Sequence, residues 1–218
     1  MRVNKMKNAT MGQSAGETAI LEAAAQLFSQ NGYATVSMRG VAEAAGVSKA
    51  NIYHHFASKE ALYQAILHSS AAELAELVDD LAESSGSFDS RIAEFSAAHL
   101  GHLIEKTQTS RLVLREAFSG DDEKSKMLMD QVFGAIFGRV VSIFRAGQEA
   151  GVLRPDLDPA LCATLLMGAD VFFFQASGIL KYLPQAEFAK HPDQFSREMV
   201  DVMLHGMLNN ESDTEVPG

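Results

Sequence analysis

The stretch MRGVAEAAGVSKANIYHHFA at residues 38–57 decides how the N-terminal part of the chain folds. Ala42 supplies the small side chain that two helices need where they cross closely, and Gly46 can adopt the positive φ of a tight turn. Ser48 then caps a following helix in which Ile52 faces inward. The spacing predicts a helix-turn-helix, although an Ala-x3-Gly pair by itself also occurs in many other helical hairpins.

Helical periodicity extends from this motif in both directions. Ahead of it, Ile20, Ala24 and Phe28 form an apolar stripe that ends at Asn31-Gly32. Behind it, Ser58 caps a long fourth helix, and further helices are expected at about 88–106, 110–119, 123–151, 159–180 and 193–208. No stretch predicts a strand, so we expect an all-α fold of about nine helices, with a three-helix N-terminal domain and a helical C-terminal domain.

The composition is that of an ordinary globular protein. Of the 218 residues, 47% are hydrophobic and 21% are charged, which excludes a disordered or collagen-like chain. No apolar run approaches the roughly 18 residues of a membrane span, and no apolar segment follows the basic N-terminus, so neither a membrane helix nor a secretory signal is expected. The single cysteine, Cys162, excludes an intrachain disulfide and predicts a cytoplasmic protein.

Charge is divided unevenly along the chain. Residues 1–67 hold six basic and four acidic side chains, whereas the remaining residues hold twelve and twenty-four. A phosphate backbone would be attracted to the first part and repelled by the second, which would fix the orientation as well as the affinity of binding. The alternative is that the acidic surface only keeps the protein in solution.

The wider stretch from Ile20 to Leu67 resembles the N-terminal domain of the tetracycline-repressor family of bacterial transcription regulators. The matching features are A-x-x-L-F, N-G-Y, V-A-x-x-A-G-V-S and N-I-Y-H-H-F-x-S-K-E-x-L. A later segment, Gly151 to Pro159, resembles the family's link into its dimerisation helices. The resemblance implies a helix-turn-helix DNA-binding domain at 15–67 and an effector-binding and dimerisation domain at 68–209. Composition adds a flexible basic arm at 1–14 and an acidic, mobile tail at 210–218.

The resemblance implies which residues read bases, and their chemistry agrees. The first turn of the recognition helix would face base edges in the major groove through Lys49, Ala50 and Asn51. A lysine can donate to guanine, and an asparagine can pair with adenine. Arg39, in the first turn of the preceding helix, lies within reach of a base or a phosphate.

Five further positions are candidates for phosphate contacts. The resemblance implies this role for Tyr53, His54 and Lys59. Ser37 and Ser48 begin helices, where free backbone N–H groups favour phosphate. Two alternatives stay open, because Tyr53 and His54 could be interface residues of a helical bundle and the two serines could serve only as caps.

No motif in the sequence indicates catalysis, cofactor binding or a metal site. The patterns G-x-S-x-G and H-E-x-x-H and a glycine-rich phosphate loop are missing from the sequence. His99 and His102 have the i, i+3 spacing of a ligand pair, but the lone Cys162 has no thiol partner to complete a site. We therefore expect no enzyme activity, no cofactor and no metal.

Aromatic and methionine side chains are concentrated in residues 118–174. Together with a few isolated polar groups, these apolar residues have the composition of a ligand pocket in which few contacts orient the ligand. We expect a small, mostly apolar effector among helices five to eight, with apolar walls from Phe118, Phe133, Phe137 and Met167. His99 and Arg115 would orient a polar or anionic end. The alternative is a solid core in which these side chains touch only one another.

The eighth predicted helix is apolar on most sides, so several neighbours must cover it. We expect helices eight and nine to form a two-fold interface between two copies of the chain, with contacts at Leu165, Leu166, Phe173 and Leu204. The sequence therefore predicts a homodimeric repressor on a palindromic operator, released by a small effector. The alternatives are a regulator of this fold without an inducer and, more remotely, a helical ligand carrier or enzyme.

Overall fold

A computed structural model describes residues 15–206 of the chain. The basic arm expected at 1–14, the acidic tail expected at 210–218 and the last residues of the expected ninth helix lie outside the described residues. Within 15–206 there are ten α-helices and no strand, which confirms the all-α prediction. The helices are α1 Ala15–Asn31, α2 Met38–Ala44, α3 Lys49–His55, α4 Lys59–Glu83, α5 Phe88–Glu105, α6 Thr107–Ala117, α7 Asp122–Leu128, α8 Gly134–Glu149, α9 Pro159–Leu180 and α10 Pro192–His205.

The boundaries differ from the sequence prediction in three places. The single helix expected at 123–151 is divided into α7 and α8 by a π-helical turn, Met129–Phe133. Leu128 and Phe133 both pack on the same core, and a π turn, with its i→i+5 bonds, brings residues five apart onto one face. Helix α6 begins before Ser110, whose N–H donates to Lys106 O at 2.9 Å. A 3-10 turn, Glu187–Lys190, precedes α10.

The chain forms two compact units. The N-terminal unit contains the residues up to Glu73 together with Lys106–Phe133, and the C-terminal unit contains Leu74–Glu105 and the residues from Gly134 onward. The first unit therefore extends beyond the boundary that the sequence suggests at residue 67, because α6 packs against α1. Its core joins five helices through Ile20, Phe28, Val41, Ile52, Leu62 and Leu112.

Local signals in the sequence set the helix-turn-helix as predicted. Gly46 has a φ of +67°, a conformation that L side chains rarely adopt. The Val47 N–H then donates to Ala42 O at 2.9 Å and closes the turn. Ser37 Oγ accepts from Gly40 N–H and Ser48 Oγ accepts from Asn51 N–H, each at 3.1 Å. Both serines are therefore helix caps.

The C-terminal unit is a bundle in which α5 packs against α9 and α10, and α8 packs against α9. Gly147 of α8 allows a close approach, since a Cβ there would lie 2.9 Å from Phe88 Cε2. Among the described residues, α9 is the one helix whose length and apolar composition would allow it to cross a membrane. Its mid-helix carboxylate, Asp170, is buried and bonded to α5, so α9 is a packed helix of this unit.

Candidate nucleic-acid interface

Helices α2 and α3 present a continuous set of exposed side chains. On the inner face, Val41, Ala42 and Ile52 are buried in the core of the N-terminal unit. Eight of the nine sequence-predicted DNA contacts lie outside this core and are exposed: Ser37, Arg39, Ser48, Lys49, Ala50, Asn51, Tyr53 and His54. The ninth, Lys59, is half-buried. The fold thus leaves the first turn of α3 free to enter a major groove, as its sequence predicts.

Arg39 has a partner that sequence reasoning missed. Its Nε donates to Glu43 Oε1 at 2.8 Å, and both side chains are largely exposed. This hydrogen bond and the charge of Glu43 raise the pKa of the Arg39 guanidinium above its ordinary value. The i, i+4 spacing on α2 is the signal that could have predicted the pair. Glu43 accepts from the Nε–H alone, so the other guanidinium N–H groups of Arg39 can still contact a base or a phosphate.

Lys59 binds the protein's own backbone. Its Nζ lies 2.9 Å from Tyr33 O, 3.4 Å from Ala34 O and 3.1 Å from Val36 O. The same ammonium group lies 4.3 Å from the centre of the Tyr33 ring, whose hydroxyl donates to Glu60 Oε2 at 2.8 Å. An ammonium group has three hydrogens to donate, so these carbonyls occupy all of them. Lys59 therefore fastens the α1–α2 loop to the start of α4.

The Lys59 contacts give a prediction that separates loop fastening from phosphate binding. We expect Lys59→Met to lower the free energy of unfolding by about 1.5–3 kcal/mol, because three carbonyls lose a charged donor. The salt dependence of DNA binding should stay as in the parent protein. Urea unfolding and DNA titrations at several salt concentrations measure the two quantities.

The exposed Lys49 provides the matched control. Lys49→Met should leave unfolding unchanged and flatten the slope of log affinity against log salt by about one, because the DNA interface loses a cation that displaces counterions. If Lys59→Met flattened that slope and left stability intact, Lys59 would be a phosphate ligand and not a loop fastener.

Arg115, a residue predicted to contact the effector, extends its side chain from α6 to the C-terminal end of α1. Its guanidinium donates to Phe28 O at 3.1 Å and to Ser29 O at 3.3 Å. Beside it, Ser29 Oγ donates to Gln108 Oε1 at 2.6 Å. The last carbonyls of a helix lack intrahelical partners, and a cation there also complements the helix dipole. Arg115 and Gln108 thus tie α6 to α1.

The other expected effector residues are divided between the two units. Phe118 is exposed at the end of α6, and Phe133 packs on the core of the N-terminal unit. Phe137 and Met167 are half-buried in the C-terminal unit, where His99 is buried. Each compact unit therefore contains only some of the six predicted effector residues.

Three buried polar side chains meet between α5 and α9. Asp170 is fully buried, with Ser96 Oγ at 2.9 Å from its Oδ1 and His99 Nδ1 at 2.9 Å from its Oδ2. Phe95 stacks on the His99 ring, with 5.7 Å between centroids. Because Ser96 bonds to the carboxylate and not to the imidazole, the cluster lacks the serine–histidine bond of a nucleophilic triad.

Burial raises the pKa of the Asp170 carboxyl above its ordinary value of 3.8, and the hydrogen bonds from His99 and Ser96 oppose the rise. The folded chain then holds a proton that the unfolded chain releases, so this residue's contribution to stability falls as pH rises from 3.8 to the raised pKa. We expect Asp170→Asn to gain stability relative to the parent across that window and to keep a constant gain above it. Urea unfolding of both proteins between pH 4 and 8 measures the difference, and a difference independent of pH would contradict the assignment.

The structure separates the four expected dimer contacts. Leu166, Phe173 and Leu204 are buried in the C-terminal unit, where side chains of the same chain cover them. Leu165 is half exposed and lies on an apolar stripe along α9 with Leu161, Phe172 and Ile179. Adjacent residues of a helix point about 100° apart, which is why Leu165 and Leu166 have opposite environments.

Residues 15–206 include His99 and His102, the pair whose spacing resembles that of two metal ligands. Within that range no three His, Cys, Asp or Glu side chains are grouped closely enough to hold an ion. Cys162 is buried and is not bonded to another cysteine.

Comparison with known proteins agrees with the fold. Residues 20–66 match the family described as bacterial regulatory proteins, tetR family. The nucleoid occlusion factor SlmA of Marinomonas sp. (strain MWYL1) is 24% identical over 193 residues, covering 88% of this chain and 95% of that protein. The transcriptional repressor KstR2 of Rhodococcus jostii (strain RHA1) is 27% identical over 165 residues, covering 72% and 77%.

A solved structure shows the same architecture. The ketosteroid transcriptional regulator KstR2 of Mycobacterium tuberculosis aligns with a TM-score of 0.65 at 22% identity, over 88% of this chain and 95% of that one. A helix-turn-helix with an exposed recognition helix in an all-α fold defines a DNA-binding transcriptional regulator. Over residues 20–66 the chain matches the tetR family of bacterial regulatory proteins, and over most of its length it is similar to proteins that include a transcriptional repressor.

Proposed function

We propose that the chain is a cytoplasmic, homodimeric repressor that binds a palindromic operator and is released by a small, mostly apolar effector. The observation that carries the proposal is the exposed first turn of α3. Lys49 and Asn51 can donate to base edges there, and the Ser48 cap fixes the start of the helix. The sequence has no acidic residue between Glu43 and Glu60, which favours the approach of DNA to this part of the chain.

The apolar stripe of α9 supports the dimer. Leu161, Leu165, Phe172 and Ile179 repeat at intervals of four and seven residues, which places them along one side of the helix. Monomeric soluble proteins rarely leave such a stripe in water, and a two-fold interface would cover it with the same stripe of a second copy. A two-fold dimer in turn matches a palindromic operator, with its two recognition helices in successive major grooves.

The proposed effector acts by preferring one arrangement of the dimer. The half-buried Phe137 and Met167 supply apolar walls in the C-terminal unit, and His99 supplies the polar contact. Arg115, Phe118 and Phe133, the other expected effector residues, belong to the N-terminal unit, where Arg115 bonds to the end of α1. A compound that binds the low-affinity arrangement more tightly shifts the population away from DNA.

A regulator without an effector is the second candidate. SlmA, the relative aligned over 88% of this chain, is named a nucleoid occlusion factor. The polar groups of His99 and Arg115 are also already bonded within the protein, to Asp170 and to the end of α1. In this alternative the chain binds DNA with the same surface, and no small molecule changes its affinity.

Fluorescence anisotropy distinguishes the two candidates. Purified full-length protein is titrated into a labelled duplex from the region upstream of its own gene, and the complex is then exposed to a panel of apolar compounds. Saturable binding with release by one compound supports the effector-controlled repressor. Binding that no compound alters supports the second candidate, and equal affinity for this duplex and for random duplexes would contradict both.

A further inference from the structure

The apolar composition of α9 does not determine which face of the helix turns inward. Asp170 is the only charged residue between Pro159 and Leu180. Large apolar side chains lie on the buried face, such as Leu166 and Phe173, and equally on the exposed face. Burying one apolar face or another releases similar amounts of surface from water, so the hydrophobic effect alone leaves the rotation of this helix undecided.

The directional contacts of α9 come from the Ser96–His99–Asp170 cluster. All three side chains are almost completely buried, and both carboxylate oxygens of Asp170 have partners at 2.9 Å on α5. Phe95 stacks on the imidazole at an interplanar angle of 6° and limits the orientations of His99. Any rotation that moves Asp170 out of this position breaks two hydrogen bonds and leaves buried polar groups without partners.

The exposed stripe lies opposite this cluster. Leu161 and Ile179 are each nine residues from Asp170, one before it and one after it. Nine residues make about two and a half helical turns, so both side chains point away from the carboxylate. Fixing Asp170 against α5 therefore fixes the outward direction of the stripe.

We propose that the Ser96–His99–Asp170 network is the positioning element that sets the rotation of α9 and so selects the face presented to a second copy of the chain. The inference rests on the proposed homodimer. A buried charged group is a poor source of stability, whereas a single buried polar contact can specify register and partner geometry in helical assemblies. Burial raises the pKa of Asp170, which means that the ionised carboxylate lowers the stability of the folded chain.

The test replaces the whole network with apolar side chains, in the variant Ser96→Ala/His99→Leu/Asp170→Leu. We expect it to fold with a free energy of unfolding no lower than that of the parent, because no polar group is left unpaired. Its dimer dissociation constant, from sedimentation equilibrium, should rise at least about tenfold. Unchanged dimer affinity in this folded variant would overturn the proposal.

Phe173→Leu is the matched control. Phe173 is buried on the same face of α9 and packs on Phe195, with 4.4 Å between ring centroids, but it is not part of the network. We expect it to lose stability and to keep the dimer dissociation constant of the parent. If the triple variant failed to fold, Asp170→Asn would serve as the test. We expect a smaller rise in its dimer dissociation constant, and an unchanged constant would contradict the proposal.

If the parent protein were found to be monomeric, the proposed dimer would be contradicted. The positioning role of the network could still be tested in the monomer. Thiol labelling of Leu166→Cys in a Cys162→Ala background reports whether the buried face of α9 stays inside. The apolar triple variant should label at least about tenfold faster, because the helix samples other rotations. Equal labelling rates would show that the network does not position the helix.

Discussion

Replacing both Leu165 and Phe172 with aspartate is expected to produce a folded monomer of 23.6 kDa. Both side chains are about half or more exposed on the stripe of α9, so the substitution leaves the core of the C-terminal unit intact. In a dimer, however, it would bury four carboxylates in an apolar interface, where unpaired charge is strongly disfavoured. Because a monomer engages only one half-site, operator affinity should fall by roughly 10²- to 10⁴-fold.

Sedimentation and operator titrations measure the two effects. Met127→Asp is the control, since it makes the same change at an exposed apolar position of the N-terminal unit. It should leave the protein dimeric. A Leu165→Asp/Phe172→Asp protein that stayed dimeric with parental affinity would place the interface elsewhere.

Asn51→Ala is expected to weaken binding to the cognate operator by about 1–3 kcal/mol and to relax the preference at one base pair of each half-site. The side chain is exposed in the first turn of α3, and only its backbone N–H bonds to Ser48, so the cap survives the substitution. Non-specific affinity should be nearly unchanged, because an uncharged side chain releases no counterions.

Titrations against the cognate duplex and a scrambled duplex give both affinities. Gln26→Ala, at an exposed position of α1, is the control and should bind both duplexes as the parent does. An equal loss of affinity for both duplexes in Asn51→Ala would mean that Asn51 does not read a base.

Local features of the sequence predicted the parts of the fold that depend on neighbouring residues. The caps at Ser37 and Ser48 and the positive φ of Gly46 are properties of a few consecutive residues, and the structure confirms all three. The all-α class followed from the same kind of pattern. The exposure of the first turn of α3 also followed, since Ile52 fixes which side of this short helix turns inward.

Features that depend on distant parts of the chain could not be predicted. Lys59 bonds to carbonyls 23–26 residues earlier, and Arg115 bonds to carbonyls 86 and 87 residues earlier. Neither pairing leaves a periodic signal in the sequence. The adjacent Leu165 and Leu166 are chemically identical, so only the attachment of Asp170 to α5 shows which of them faces water.

Selection of bound duplexes from a random library by the purified full-length chain tests the central claim, sequence-specific binding through α3, most directly. We expect enrichment of a two-fold symmetric motif with half-site centres roughly 10 bp, or a multiple of that spacing, apart. Asn51→Ala should select a motif with one relaxed position in each half. A pool without an enriched motif, or the same motif selected by the parent and by Asn51→Ala, would contradict sequence-specific binding through α3.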